Sequence, residues 1–164
     1  MTSTSTATDG RHGFDFLFGR WIIHNRKLAD VLAPECGDWV EFDAEGEARP
    51  ILGGLGNIDS FIAADVPGVG QYEGMTLRLF DPEAGLWRIW WASTRIPGRL
   101  DPPMEGRFVD GDGVFFGDDV LNGRPIKVRF EWTPGQTSAR WEQAFSYDDG
   151  RTWEKNWTMS FTRV

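Results

Sequence analysis

Residues 146–153 read Ser-Tyr-Asp-Asp-Gly-Arg-Thr-Trp, matching the Asp-box pattern S-x-D-x-G-x-T-W at Ser146, Asp148, Gly150, Thr152 and Trp153. Each position suits a hairpin turn: a short carboxylate bonds its own backbone a little further on, glycine accepts positive φ, and the tryptophan packs beneath the loop. The flanks alternate. Trp141, Gln143 and Phe145 share one face before the turn, and Trp157, Met159 and Phe161 share one after it, opposite Thr158, Ser160 and Thr162. A period of two with one wet face marks half-buried antiparallel sheet, so this stretch sets the class as all-β.

Further hairpin signals lie upstream. Asp81-Pro82-Glu83-Ala84-Gly85 separates residues 75–80 from 86–93, and Asp110-Gly111-Asp112-Gly113 separates 106–109 from 114–118. Asn122-Gly123, a type I′ pair, separates 114–121 from 125–132, and Pro134-Gly135 leads into 138–146. Ile126, Val128, Phe130 and Trp132 oppose Lys127, Arg129 and Glu131, while Met75, Leu77 and Leu79 oppose Thr76 and Arg78. In the first half, residues 14–18 suit a short helix or turn acting as a lid. Strands are expected at 20–27, 39–47, 48–52 and 55–63, with loops at 30–37 and 64–70 and a bend at Gly53-Gly54 and Gly56. Eight to ten strands joined by short turns predict a single up-and-down antiparallel β-barrel over residues 13–164, because closure removes the sheet edges. Residues 1–12, rich in Thr and Ser at the start, are expected to be a disordered tail. The box occurs once and no repeat recurs, which excludes a multi-blade propeller and the glycosidase reading that goes with one.

Nine Trp and twelve Phe in 164 residues promise a large aromatic core or an aromatic-lined cavity. The net charge of −8, with no basic cluster, argues against nucleic acid or an anionic membrane as partner. A lone Cys36 cannot form an internal disulfide, and residues 1–10 lack the basic start and apolar run of a secretory signal. Both point to the cytoplasm. No stretch approaches the roughly 18 apolar residues of a membrane span.

Phe18-Gly19-Arg20-Trp21 contains the G-x-W of the first strand of lipocalins and related calycins, and Arg163 stands on the last strand. Together with residues 14–21, the segment from Ala48 to Asn57 and Arg99-Leu100-Asp101-Pro102-Pro103, the chain resembles uncharacterised bacterial lipocalin-like families of the calycin superfamily. The resemblance implies that Trp21 plugs the closed end with Arg163 stacked on its indole, and that the barrel encloses a cavity for a small, mostly apolar ligand. The disulfides and C-terminal helix of secreted lipocalins are absent, which favours an intracellular relative.

Asn57, Trp90, Gln143, Trp157 and Met159 are the candidate ligand-binding residues. Gln143 is a polar group among aromatics. Asn57 and Asp59 share a face, either as an entrance pair or as a solvated strand surface, and Lys155 shares the direction of Trp157 by parity. Trp87 and Trp91 oppose Trp90. With Trp90 inward beside Leu86 and Arg88, Trp87 and Trp91 would form an outer apolar patch, either a homodimer contact or covered by a loop. No His/Cys/carboxylate spacing suits a metal, and residues 148–164 hold no His to serve as a haem ligand. A nucleophile elbow and a phosphate loop are both missing, so no cofactor is expected. The reading is therefore binding of a small hydrophobic or aromatic molecule. The alternative is a cofactor-free barrel enzyme of isomerase, hydratase or cyclase type, with Glu142, Glu105, Asp59 and His24 as the available acids and bases.

Overall fold

The computed structural model describes residues 9–32 and 37–164; Cys36 lies outside them. Ten strands follow one another: β1 (Gly19–Leu28), β2 (Trp39–Ile51), β3 (Gly56–Val66), β4 (Gly70–Asp81), β5 (Leu86–Ser93), β6 (Met104–Val109), β7 (Asp112–Leu121), β8 (Arg124–Pro134), β9 (Ser138–Ser146) and β10 (Glu154–Arg163). Each pairs antiparallel with its sequence neighbours, and β1 pairs with β10, so the sheet is a closed up-and-down barrel.

The turns are the ones the sequence calls for. Asn122 and Gly123 both take positive φ between Leu121 and Arg124, as a type I′ turn requires. In the 146–153 turn, Asp148 accepts from Thr152 N (2.8 Å) and Thr152 Oγ1 (2.6 Å), and Gly150 N donates to Ser146 Oγ at 2.8 Å. The bonds Asp148 accepts from the Thr152 hydroxyl, the Thr152 N–H and the Ser146 hydroxyl hold its carboxyl down at about 2. Trp153 lies on the outer wall, against Phe116 and the Arg129 guanidinium.

Two expected boundaries change. Strands expected at 39–47 and 48–52 are one strand, β2. Beyond Ala48, opposite Gly19, β2 has β3 as its only neighbour among the described residues, and Pro50 sits on this stretch, where proline is tolerated. The loop expected over 64–70 shrinks to a turn at 67–69.

One end of the barrel is filled. A 3-10 turn, Asp15–Leu17, lays Phe14 and Leu17 across it. Trp21 Nε1 donates to Leu17 O at 2.8 Å, and the Arg163 guanidinium lies 4.1 Å from the Trp21 ring while donating to Phe18 O (2.7 Å) and Phe16 O (2.6 Å). Trp87 Nε1 donates to Gly10 O at 3.1 Å, so residues entering from the expected tail touch the barrel at this end.

The faces of β4 and β5 differ from expectation. Trp87 (2% exposed), Ile89 and Trp91 face inward, and Trp90 faces out. Gly74, on the neighbouring strand, leaves the space that the Trp91 ring occupies: a Cβ there would lie 2.1 Å from it. The outer patch of Trp87 and Trp91 therefore does not exist, and a dimer contact cannot be built on it. Arg88 faces out, bound to Asp81 and Glu105. On β4 the inward residues are Tyr72, Thr76, Arg78 and Phe80, while Met75, Leu77 and Leu79 are outside.

Candidate functional site

A cavity of about 590 Å³ runs from Trp21 and Trp132 at the filled end to residues 28–32, 95–96 and 101–102 at the other, where Leu32, Arg95 and Ile96 are exposed. Its wall is aromatic. Phe61 meets Tyr72, Trp91 and Trp157 edge-on at centroid distances of 6.0, 5.9 and 6.3 Å, and Trp157 meets Trp141 at 5.5 Å. These edge-to-face contacts match the ring quadrupoles and hold the wall rigid. Met159 and Phe161 continue it toward Trp21.

Three polar positions bear on the wall, the first behind it and the other two lining it. Buried Asn25 accepts from Trp157 Nε1 at 3.0 Å and donates to Ile23 O, which fixes the indole. Gln143 donates from Nε2 to Asn156 Oδ1 at 2.8 Å. Asn156 is the extra residue of a bulge between Lys155 and Trp157, and the bulge reverses the strand's parity. Lys155 is thereby turned outward onto Glu142 at 2.8 Å, and Asn156 takes the inner face. Lys27 is the third group, sharing the inward face of β1 with Trp21, Ile23 and Asn25. Its ammonium lies 4.1 Å from the Trp157 ring centroid and 5.8 Å from that of Tyr72.

The filled end carries a charge pair. Arg78 is 3% exposed; its Nη1 lies 2.7 Å from Asp59 Oδ2 and donates to Asn57 Oδ1 at 3.0 Å. Its guanidinium stands 4.9 Å from the Phe14 ring centroid. Asn57 and Asp59 are thus neither an entrance pair nor a solvated face. They sit at the far end from the mouth, and fully buried Asn57 lies behind Arg78 rather than on the cavity wall. Arg78 and Asn57 are directly opposed on β4 and β3, so the bond between them crosses one strand pair, while Arg78 Nε and Asn57 Nδ2 remain without a partner among the described residues.

Of the five expected ligand contacts, Gln143, Trp157 and Met159 line the cavity, whereas Asn57 and Trp90 do not. Of the four expected acids and bases, only Asp59 faces it. His24 is on the outer wall between Glu41 (3.0 Å) and Asp43 (2.8 Å), whose hydrogen bonds raise its pKa. Glu105 and Glu142 are outside, paired with Arg88, Arg140 and Lys155. Lys27 and Tyr72 were not among the expected residues. Parity from Trp21 picks out Lys27, since positions 21, 23, 25 and 27 share a face. Among the described residues, no three His, Cys, Asp or Glu are placed to hold a metal ion, and no helix is long and apolar enough to cross a membrane.

Burial, with the nearby Arg95 charge adding to it, pushes the Lys27 ammonium down to about 8 from 10.5. The unfolded chain then binds more protons than the folded one between those values, so stability should rise as pH increases from about 8 to about 10.5. Lys27→Met should remove that rise and stabilise the protein at neutral pH. Urea midpoints at pH 7.5 and pH 10 read both effects, and a wild type that is no more stable at the higher pH would contradict them.

A closed antiparallel barrel with a plugged end and an aromatic-lined interior has the lipocalin-like fold. Among solved structures, an S-type phycobiliprotein lyase, CPES, from Guillardia theta is similar over 95% of this chain and 95% of its own, at a TM-score of 0.56 and 10% sequence identity. At that identity the likeness is one of fold. No protein-family model and no curated protein matches the chain.

Proposed function

We propose that the barrel binds a small hydrophobic or aromatic molecule in its cavity. The observation that carries this reading is the aromatic lining of a space of about 590 Å³, within the usual range of ligand sites and reaching exposed residues at one end. The wall tryptophans are braced by hydrogen bonds and edge contacts, so binding requires little reordering. Burial of an aromatic ligand gives roughly 25 cal/mol for each Å² removed from water, which makes micromolar affinity attainable without special chemistry. The solved barrel of similar fold is a phycobiliprotein lyase by its description, which is compatible with a barrel that handles small molecules. The lone Cys36 suits a reducing compartment such as the cytoplasm.

The test uses the neutral fluorophore N-phenyl-1-naphthylamine. Saturable binding at one site per chain is expected, with quenching of the wall tryptophans. Val128 faces the cavity, and Val128→Trp should occupy the space and abolish binding while the barrel remains folded by circular dichroism. Binding unaffected by Val128→Trp would place the probe elsewhere and defeat the reading.

A further inference from the structure

We propose that Lys27 and Arg95 form an anion-recognising end of the cavity, so that its ligand is an aromatic or apolar molecule bearing one carboxylate or similar anionic head. The inference rests on the binding role argued above and adds the ligand's charge and its orientation.

Lys27 is set among rings rather than acids. Trp157 and Tyr72 flank its ammonium, and their π faces ease its charge without accepting its three N–H donors in the geometry a carboxylate offers. Among the described residues neither Lys27 nor Arg95 has a carboxylate partner. Arg95 lines the same cavity and lies close enough that its charge opposes protonation of Lys27. Two like charges at one end of a largely apolar cavity are an unfavourable arrangement that a bound anion converts into a favourable one.

Of the remaining acidic groups of the cavity, all but Asp101 have a partner. Asp59 balances the charge of Arg78 at the filled end, although Arg78 Nε has no hydrogen-bond partner among the described residues. Asp30 accepts the Leu32 N–H at 2.9 Å. Asp101 is half-buried, and burial together with the repulsion of Asp119 raises its pKa, while Arg99 counters it. The mouth therefore carries an acidic pair, Asp101 and Asp119, and a basic pair, Lys27 and Arg95. An anionic head would be directed to the second, with the apolar body lying against Trp91, Trp141 and Trp157.

A matched probe pair tests this: 2-naphthoate and its neutral amide, 2-naphthamide, each displacing N-phenyl-1-naphthylamine. The wild type should favour the carboxylate by roughly 10- to 100-fold, the worth of a charge-assisted hydrogen bond. Lys27→Met should erase the preference, bringing the ratio of naphthoate to naphthamide affinity to about one, whatever it does to binding of the neutral fluorophore. Arg95 is exposed at the rim, so Arg95→Gln should reduce the preference without affecting folding. Equal affinity for the two naphthalenes in the wild type, or a preference that survives Lys27→Met, would overturn the inference and leave the cavity's binding role intact. Failure of the neutral fluorophore itself to bind would remove both.

Discussion

Asp59→Asn should destabilise the barrel by about 3–5 kcal/mol, the usual cost of stripping one partner from a buried ion pair. The Arg78 side chain is 4% exposed and that of Asp59 16%, so solvent compensates little for the lost carboxylate. The substitution leaves shape nearly unchanged and removes the charge, so the loss reports electrostatics rather than packing. Asp59→Leu combined with Arg78→Met should lie within about 2 kcal/mol of the wild type, because a matched apolar pair has no ion to desolvate. Urea denaturation followed by tryptophan emission gives both numbers. A single-variant loss below about 1 kcal/mol would mean that the Phe14 ring and the Asn57 amide suffice to hold the guanidinium.

Gly106→Ala should be comparably damaging, at about 3 kcal/mol or more, for a steric reason. A Cβ at residue 106 would lie 2.0 Å from Val114 O and 2.7 Å from Phe115 Cα, both backbone atoms that no rotamer change can move aside. Gly106 pairs with Trp87 on one side and Phe115 on the other, and the β5–β6 ladder holds only three residue pairs. Displacing β6 therefore opens the barrel where its wall is thinnest. Amide hydrogen exchange should show protection lost first in β5 and β6. Wild-type protection in the alanine variant would show that β6 shifts at little cost.

The second half of the fold is legible in the sequence because its turns are chemically explicit. Asn122-Gly123 and the 146–153 turn each need a particular backbone, and each follows a run of strict alternation. What defeats the reading elsewhere is a tie or a slip in that alternation. On β4 the apolar set Met75, Leu77 and Leu79 looks like the inner face. The Arg78 face is the inner one because Asp59 and Asn57, about twenty positions earlier, answer its charge. On β5 both faces carry tryptophan, and the tie is broken by Gly74 on the neighbouring strand, which no window along β5 contains. At Asn156 a single bulged residue reverses parity and exchanges Lys155 for an amide on the inner wall. Of the site itself, Gln143, Trp157 and Met159 follow from alternation, and Lys27 does so once Trp21 anchors the face. Arg95 lies outside any strand, where periodicity has nothing to say.

The pairing of β1 with β10 has a kinetic consequence. Trp157 and Asn25 are 132 residues apart, and the hydrogen bond between them closes almost the whole chain into a loop. Hairpins between successive strands can form locally, but this contact carries the entropy of a very long closure. High contact order places such proteins among the slower two-state folders, in milliseconds to seconds. Until the seam closes, β1 and β10 each present an unpaired edge, so the interval before closure is when one chain is most able to pair with another.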